Sequence, residues 1–196
     1  MNALIKTSLL GLALVSTASM AGNFAGPEAG ASVTMNGGAT TGTPSSTNKD
    51  SIVGGSSMGL RLHSGYGFEM GNDAVILVGL DFNASELLVG KSVDQNMKIK
   101  NSWSLSAAPG MLLNDKTLAY LKLSYEAGKL NSEVTNIKFD ESISGFGYGI
   151  GLRTQLNNTT FLETEIKQIN YKKFTNQNYD FTPVVTSGSV GVVFKF

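Results

Sequence analysis

The stretch Val184-Val185-Thr186-Ser187-Gly188-Ser189-Val190-Gly191-Val192-Val193-Phe194-Lys195-Phe196 decides how the chain is read. Val184, Thr186, Gly188, Val190, Val192, Phe194 and Phe196 recur at every second position. Between them stand Ser187, Ser189, Gly191 and Lys195, with Val185 and Val193 as exceptions. Successive side chains of a strand point to opposite faces, so this is a strand with one apolar face. Soluble proteins seldom end on such a strand. The expectation is a strand that closes a barrel in lipid.

The other end agrees. Met1–Ala21 reads as a secretory signal peptide: Lys6 supplies the positive charge, Ser8–Val15 the short apolar run, and Ser19-Met20-Ala21 the small residues at the cleavage point. The apolar run is too short for a spanning helix, which needs roughly 20 residues. The mature chain is expected to begin near Gly22. With Lys6 removed, acids exceed bases by one, so nothing invites nucleic acid. Cysteine is absent, which leaves no disulfide, thiolate site or lipid-attachment site. Charged residues are only 15% of the chain and 23 residues are glycine, a composition open to a secreted β-sandwich or an outer-membrane barrel.

Alternation continues through the chain in eight segments: about 24–35, 52–70, 74–84, 98–111, 117–128, 143–156, 160–174 and the terminal strand. Between them, Gly71-Asn72-Asp73, Asn114-Asp115-Lys116 and Asn157-Asn158 are tight turns. The other four connections, about 34–50, 85–97, 129–142 and 175–182, are longer and polar, and read as loops. Short and long connections alternate, as in a membrane barrel with short turns on one side and longer loops on the other. The fold class expected is therefore all-β: an eight-stranded antiparallel transmembrane barrel spanning 22–196, after the signal peptide.

Three pieces carry a family likeness: Leu105-Ser106-Ala107-Ala108-Pro109-Gly110-Met111-Leu112-Leu113, Gly145-Phe146-Gly147-Tyr148-Gly149-Ile150-Gly151-Leu152 and Phe161-Leu162-Glu163-Thr164-Glu165-Ile166-Lys167. With Val190–Phe196 they resemble the opacity-type surface antigens, small "porin family" outer-membrane barrels. Phe196 and Phe194 also resemble the terminal signal read by the barrel-assembly machinery. The resemblance implies a structural or surface-antigen role, adhesive through the loops, or alternatively a narrow channel for small solutes. Partners so implied are outer-membrane lipid, lipopolysaccharide and host or environmental ligands.

Alternation also places Arg61, Glu69, Asp81, Lys122, Glu126, Arg153, Glu163, Glu165 and Lys167 on the inward face. An eight-stranded barrel is only wide enough for side chains, so such charges must pair or stay hydrated. They form either a plug or a polar path, with Arg153, Glu163 and Glu165 at the centre. His63 is the only histidine and stands beside no nucleophile motif. No catalytic, metal or cofactor site is read. On the outward face Ile99 joins Trp103. Trp103, Tyr125, Phe146, Tyr148, Tyr66, Phe68, Phe194 and Phe196 mark the membrane edges. Tyr171, Lys172, Lys173, Phe174, Tyr179 and Phe181 flank the fourth loop, and Lys172, Lys173, Phe174 and Tyr179 are its contact candidates. A secreted soluble β-protein remains a third reading, one that salt or carbonate would extract.

Overall fold

The structure, a computed structural model, describes residues 23–44, 51–71, 73–92, 95–134, 137–176 and 179–196. The expected signal peptide, residues 45–50 of the first expected loop and Asn72 of the first turn lie outside the described residues. Ten strands follow in order: β1 Gly26–Pro44, β2 Ser51–Glu69, β3 Ala74–Asn83, β4 Leu87–Ser92, β5 Gln95–Asn114, β6 Thr117–Val134, β7 Ile137–Asn157, β8 Thr160–Tyr171, β9 Phe174–Asn176 and β10 Tyr179–Lys195. Antiparallel pairing runs β1-β2-β3-β5-β6-β7-β8-β10, and β10 returns to β1. Eight strands thus close a barrel, which leaves no edge to meet hydrocarbon.

The register fixes the bore. From Leu123 one path runs through Tyr148, Gln168, Thr186 and Gly37 to Ser56. The other runs through Ala107 and Val78 to Tyr66, ten residues further along β2. That stagger tilts the strands by ~40° and leaves an interior filled by side chains. At one end the connections are tight: Lys116 N donates to Asn114 Oδ1 at 2.9 Å and Thr159 N to Asn157 Oδ1 at 3.0 Å, each asparagine turning its own backbone. Gly71 takes φ 84° in the β2–β3 turn, a conformation glycine adopts without steric cost.

Outside, an apolar belt covers roughly the ten residues of each strand nearest these turns, the length that spans a bilayer. It includes Leu121, Leu123, Ile150, Leu152, Ile166 and Val190, all outward and exposed. Aromatic rings bound it. Trp103, Tyr125 and Phe146 form a row on β5-β6-β7, with centroids 6.1 and 5.8 Å apart. Tyr66 and Phe68 stand near the turn end, 4.7 Å apart.

The strands are longer than the belt. Thr34–Pro44, most of 129–142 and most of 175–182 were expected as loops but are strand, and 85–97 contains β4. Their Gly, Ser, Thr and Asn content suggested irregular chain. A ladder needs only backbone groups, and the neighbouring strand supplies them. Above the belt the barrel divides. Outer parts of β4-β5-β6-β7 form one sheet and those of β2-β1-β10-β9 another. Among the described residues no pairing joins β7 over 137–144 to β9, or β2 over 51–59 to β4. Between the sheets lies an apolar core of Leu87, Val89, Met97, Ile99, Leu130 and Val185, with Val53, Phe174 and Phe181 packed against it. The chain carries a small two-sheet head on a barrel.

One side of the head closes by overlap rather than by hydrogen bonds. β4 slides beneath β1 and β2, where Thr40 Oγ1 donates to the Val89 carbonyl at 3.1 Å and Leu88 N to Ser57 Oγ at 3.2 Å. Stacked sheets normally lie ~10 Å apart. Here two glycines allow closer approach: a Cβ on Gly38 would meet Leu88 O and Val89 Cα at 2.7 Å, and one on Gly55 would meet Leu88 Cγ at 2.8 Å.

Ile99 is a correction to the sequence reading. A bulge between Lys100 and Trp103, with Asn101 at φ 49°, shifts the alternation by one and turns Ile99 inward. Tyr171, expected to flank the fourth loop, ends β8 with its side chain buried inward.

Gly38→Val should dislodge β4 at a cost of roughly 1–3 kcal/mol, the usual range for overpacking. Limited proteolysis should then cut within Leu87–Ser92 while the membrane part keeps its heat-dependent gel mobility. Unchanged protease resistance would show that the overlap does not need the close approach.

Candidate functional site: the interior charge ring

The inward face of the membrane-spanning strands is polar at mid-height because strand alternation puts Glu28 on β1, Arg61 and His63 on β2, Asp81 on β3, Lys122 on β6, Arg153 on β7 and Glu163 and Glu165 on β8. All are buried except His63, which is nearly so. Their contacts close a circuit. Arg153 Nη2 bonds Glu163 Oε2 and Arg153 Nη1 bonds Glu28 Oε2, both at 2.5 Å. His63 Nε2 lies 3.0 Å from Glu28 Oε1, and Nδ1 lies 2.7 Å from Asp81 Oδ1. Lys122 Nζ joins Asp81 Oδ2 at 2.9 Å to Glu165 Oε2 at 3.1 Å. Arg61 Nη1 takes Glu165 Oε1 at 2.7 Å, and Arg61 Nη2 reaches Glu163 Oε1 at 4.0 Å.

Around this circuit the signs alternate if His63 is charged, and the geometry makes it so. Ionised carboxylates only accept, so both imidazole nitrogens must donate. Four cations then face four anions. Hydroxyls extend the network to the other strands: Arg61 Nε donates to Ser32 Oγ at 3.1 Å, Arg61 Nη2 to Ser189 Oγ at 2.9 Å, and Ser104 Oγ to Asp81 Oδ2 at 3.2 Å. Tyr120 Oη donates to Glu165 Oε2 at 3.2 Å. A separate pair, Lys167 Nζ to Glu126 Oε1 at 2.8 Å, is supported by Ser124 Oγ at 2.7 Å.

Apolar layers lie above and below the circuit. Toward the turns stand Phe24, Val75, Leu77, Leu118, Phe161 and Val193, with the Phe24 and Phe161 rings 5.2 Å apart. Toward the head lies the core already described. Val185 and Val193, the two exceptions in the terminal alternation, are inward members of these two layers.

Eight of the nine charges read as inward are brought into this interior. Glu69 keeps the inward parity, opposite Val75, but ends β2 at the turn-side mouth of the barrel, where it is exposed and outside the circuit. The pairing also differs from the expectation. Arg153 bonds Glu163 and Glu28, Glu165 belongs to Arg61 and Lys122, and Lys167 belongs to Glu126. Sequence reasoning left Glu28 out, and put His63 on the face of Arg61 without counting it among the paired charges. Both were findable: His63 shares the parity of Arg61, and Glu28 that of the inward residues of β1. His63 has both nitrogens on carboxylates, with no nucleophile at either.

Of the loop candidates, Lys172 and Lys173 are exposed between β8 and β9. Lys173 Nζ lies 2.5 Å from Asp180 Oδ2, and with the Thr175 hydroxyl it holds that carboxyl below its usual range. Phe174 is corrected, since it stacks on Phe181 at 5.3 Å against the head core. Tyr179 opens β10, and its side chain lies outside the described residues. Phe194 and Phe196 are outward and exposed, and Phe196 N donates to the Pro27 carbonyl at 3.0 Å.

A lipid-facing belt, a closed ring of strands and a filled polar interior define a small outer-membrane barrel. The chain belongs to the family described as outer membrane protein beta-barrel domain, which matches residues 7–196, and its place is the bacterial outer membrane. Its fold is similar to Neisserial surface protein A, at 16% identity and a TM-score of 0.50, covering 85% of this chain and 97% of that one. It is also similar to Ail, the attachment invasion locus protein of Yersinia pestis, at 16% identity and 0.46, covering 85% and 98%. The N-terminal barrel of Pseudomonas aeruginosa OprF matches at 10% identity and 0.42, covering 83% and 97%. No curated protein sequence matches the chain closely enough to count as a relative.

Arg153→Leu should strip Glu28 and Glu163 of their shared cation. Breaking a buried pair in this way costs about 3–5 kcal/mol. The loss should appear as a lower urea midpoint for unfolding in detergent micelles. His63→Gln should move the midpoint in the same direction, because it leaves one negative charge in excess. A midpoint unchanged in both variants would show that the circuit does not hold the barrel.

Proposed function

We propose that this protein is a non-conducting surface barrel: the membrane part anchors and braces, and the head meets partners outside the cell. One observation carries the reading. The charge circuit is closed on itself between two apolar layers, so the described interior offers no continuous polar path. The resources of the chain are spent instead on a folded head, where strands twice the spanning length project beyond the bilayer.

The head presents what a contact surface needs. β2 over 51–59 and β7 over 137–143 are strand edges with no ladder partner among the described residues, and such edges accept an added strand from another chain. Lys172 stands beside the β7 edge as an exposed charge, its backbone N donating to the Ser144 carbonyl at 2.8 Å. This supports a structural and surface-antigen role with adhesion through the head. On the same reading, residues 1–21 are removed on export, and Phe194 and Phe196 present the terminal signal to the assembly machinery.

Refolded mature protein, checked by the mobility difference between unheated and boiled samples, should give no discrete current steps in a planar bilayer. Reproducible steps would replace this reading with a narrow channel for small solutes.

A further inference from the structure

β1 and β2 stay in unbroken register as far as Gly42 and Ser51, past the point where β2 loses its other neighbour. At that point Leu60 N donates to Ser85 Oγ at 3.0 Å, and the Leu60 carbonyl accepts from Ala84 N at 2.9 Å. Backbone groups of an antiparallel strand turn to each side alternately. Met58, Ser56, Gly54 and Ile52 therefore aim theirs to the same side as Leu60, away from β1. Among the described residues no strand takes them. The segment is held from beneath, where Leu88 N donates to Ser57 Oγ at 3.2 Å and Val53 packs on the head core. The edge is thus formed before any partner arrives.

Natural edges are guarded by charge, proline, bulges or shortness. The β7 edge contains Lys138, Asp140 and Glu141, and β9 has only three residues. Ser51–Gly59 contains no charge and no proline, and its register with β1 shows no bulge. Its outward face carries Ile52 and Met58, 70% and 68% exposed. Ile52 lies well beyond the apolar belt, so lipid does not account for it.

We propose that this edge pairs with the same edge of a second copy, the two barrels standing in opposed membranes. The orientation follows from symmetry. An antiparallel pair of identical strands is related by a two-fold axis perpendicular to its sheet. The sheet stands upright on the membrane, so that axis lies in the membrane plane and points the two heads at each other. Copies side by side in one membrane both run β2 from head to turn. With a tilt of ~40° their directions differ by at most about 80°, far from antiparallel. Centred on Gly55, the pairing sets Ile52 opposite the partner subunit's Met58 and Gly54 opposite the partner subunit's Ser56. The edge N–H and C=O groups of Ile52, Gly54, Ser56 and Met58 are then bonded in both copies, and the exposed apolar side chains cover one another. An uncharged edge meets its own copy without repulsion. The inference rests on the reading of the head as the contact surface, and names the partner of that surface.

The test inserts mature protein from outside into preformed phosphatidylcholine vesicles, so that the heads stay on the outer face. Folding of every variant is verified by gel mobility. Conductance is read separately in a planar bilayer, so a failure of pairing and a failure of the non-conducting reading give different results. Wild-type vesicles should cluster, by light scattering, with no other protein present. Ser56→Pro removes an edge donor that no described strand uses, and should slow clustering about tenfold. Ile52→Lys combined with Met58→Lys should slow it by about as much, because like charges then stand opposite. Ile52→Glu combined with Met58→Glu should behave in the same way. A mixture of the two double variants should cluster again, since each facing pair is then opposite in sign. Wild-type vesicles that stay dispersed would overturn the proposal. So would Ser56→Pro vesicles that cluster as wild type does, or a mixture that clusters no faster than either double variant alone.

Discussion

Eight ionisable side chains at mid-height in a barrel wrapped by hydrocarbon can stay charged only together. Taking any one of them out of water costs several kcal/mol, and an unpaired charge there would be prohibitive. The circuit from Arg153 through Glu28, His63, Asp81, Lys122, Glu165, Arg61 and Glu163 meets this constraint by giving each charge a neighbour of opposite sign on both sides. Its members sit on six of the eight barrel strands, and Ser104 and Ser189 tie in the other two. The register of the whole barrel is thereby locked. Slipping one strand by a residue would turn its charge into lipid.

The same constraint explains why the interior is layered. A charge circuit in contact with bulk water at both ends would be screened and weakened. Phe24, Leu118 and Phe161 cover it toward the turns, and the head core covers it on the other side. The head is thus more than a display surface. Its overlap of β4 beneath Gly38 and Gly55 brings Val89 into the core that shields the circuit.

The membrane part was legible in the sequence because its rule is simple: period two, apolar outward, polar or small inward. Val190, Phe194, Leu162, Ile166, Leu121 and Leu123 all stand where alternation puts them. The head was not legible by the same rule. Gly37, Gly38, Thr40, Ser56 and Asn131 have the composition of loops, and nothing local distinguishes a serine in a turn from one in a ladder whose partner lies elsewhere in the chain. Parity also fails wherever a bulge intervenes, and one residue at Asn101 was enough to reverse Ile99. In the charge circuit the membership was largely readable, but the pairing was not. It depends on which inward side chains meet across the bore, and hairpin adjacency gave Arg153 its Glu163 but could not give it Glu28, from the far end of the chain.

The bulge at Asn101 links these regions. A strand that kept one parity from end to end would serve either the lipid belt or the head core, but not both. Below the bulge the outward face of β5 must be apolar for lipid, and above it the inward face must be apolar for the core. Shifting the alternation by one residue satisfies both demands, and Asn tolerates the left-handed backbone this requires better than most side chains. The outward positions above the bulge are then released from both apolar environments. Lys98 and Lys100 occupy them at the level where the hydrocarbon ends, so the packing of the head and the charge of the outer surface are set by the same single residue.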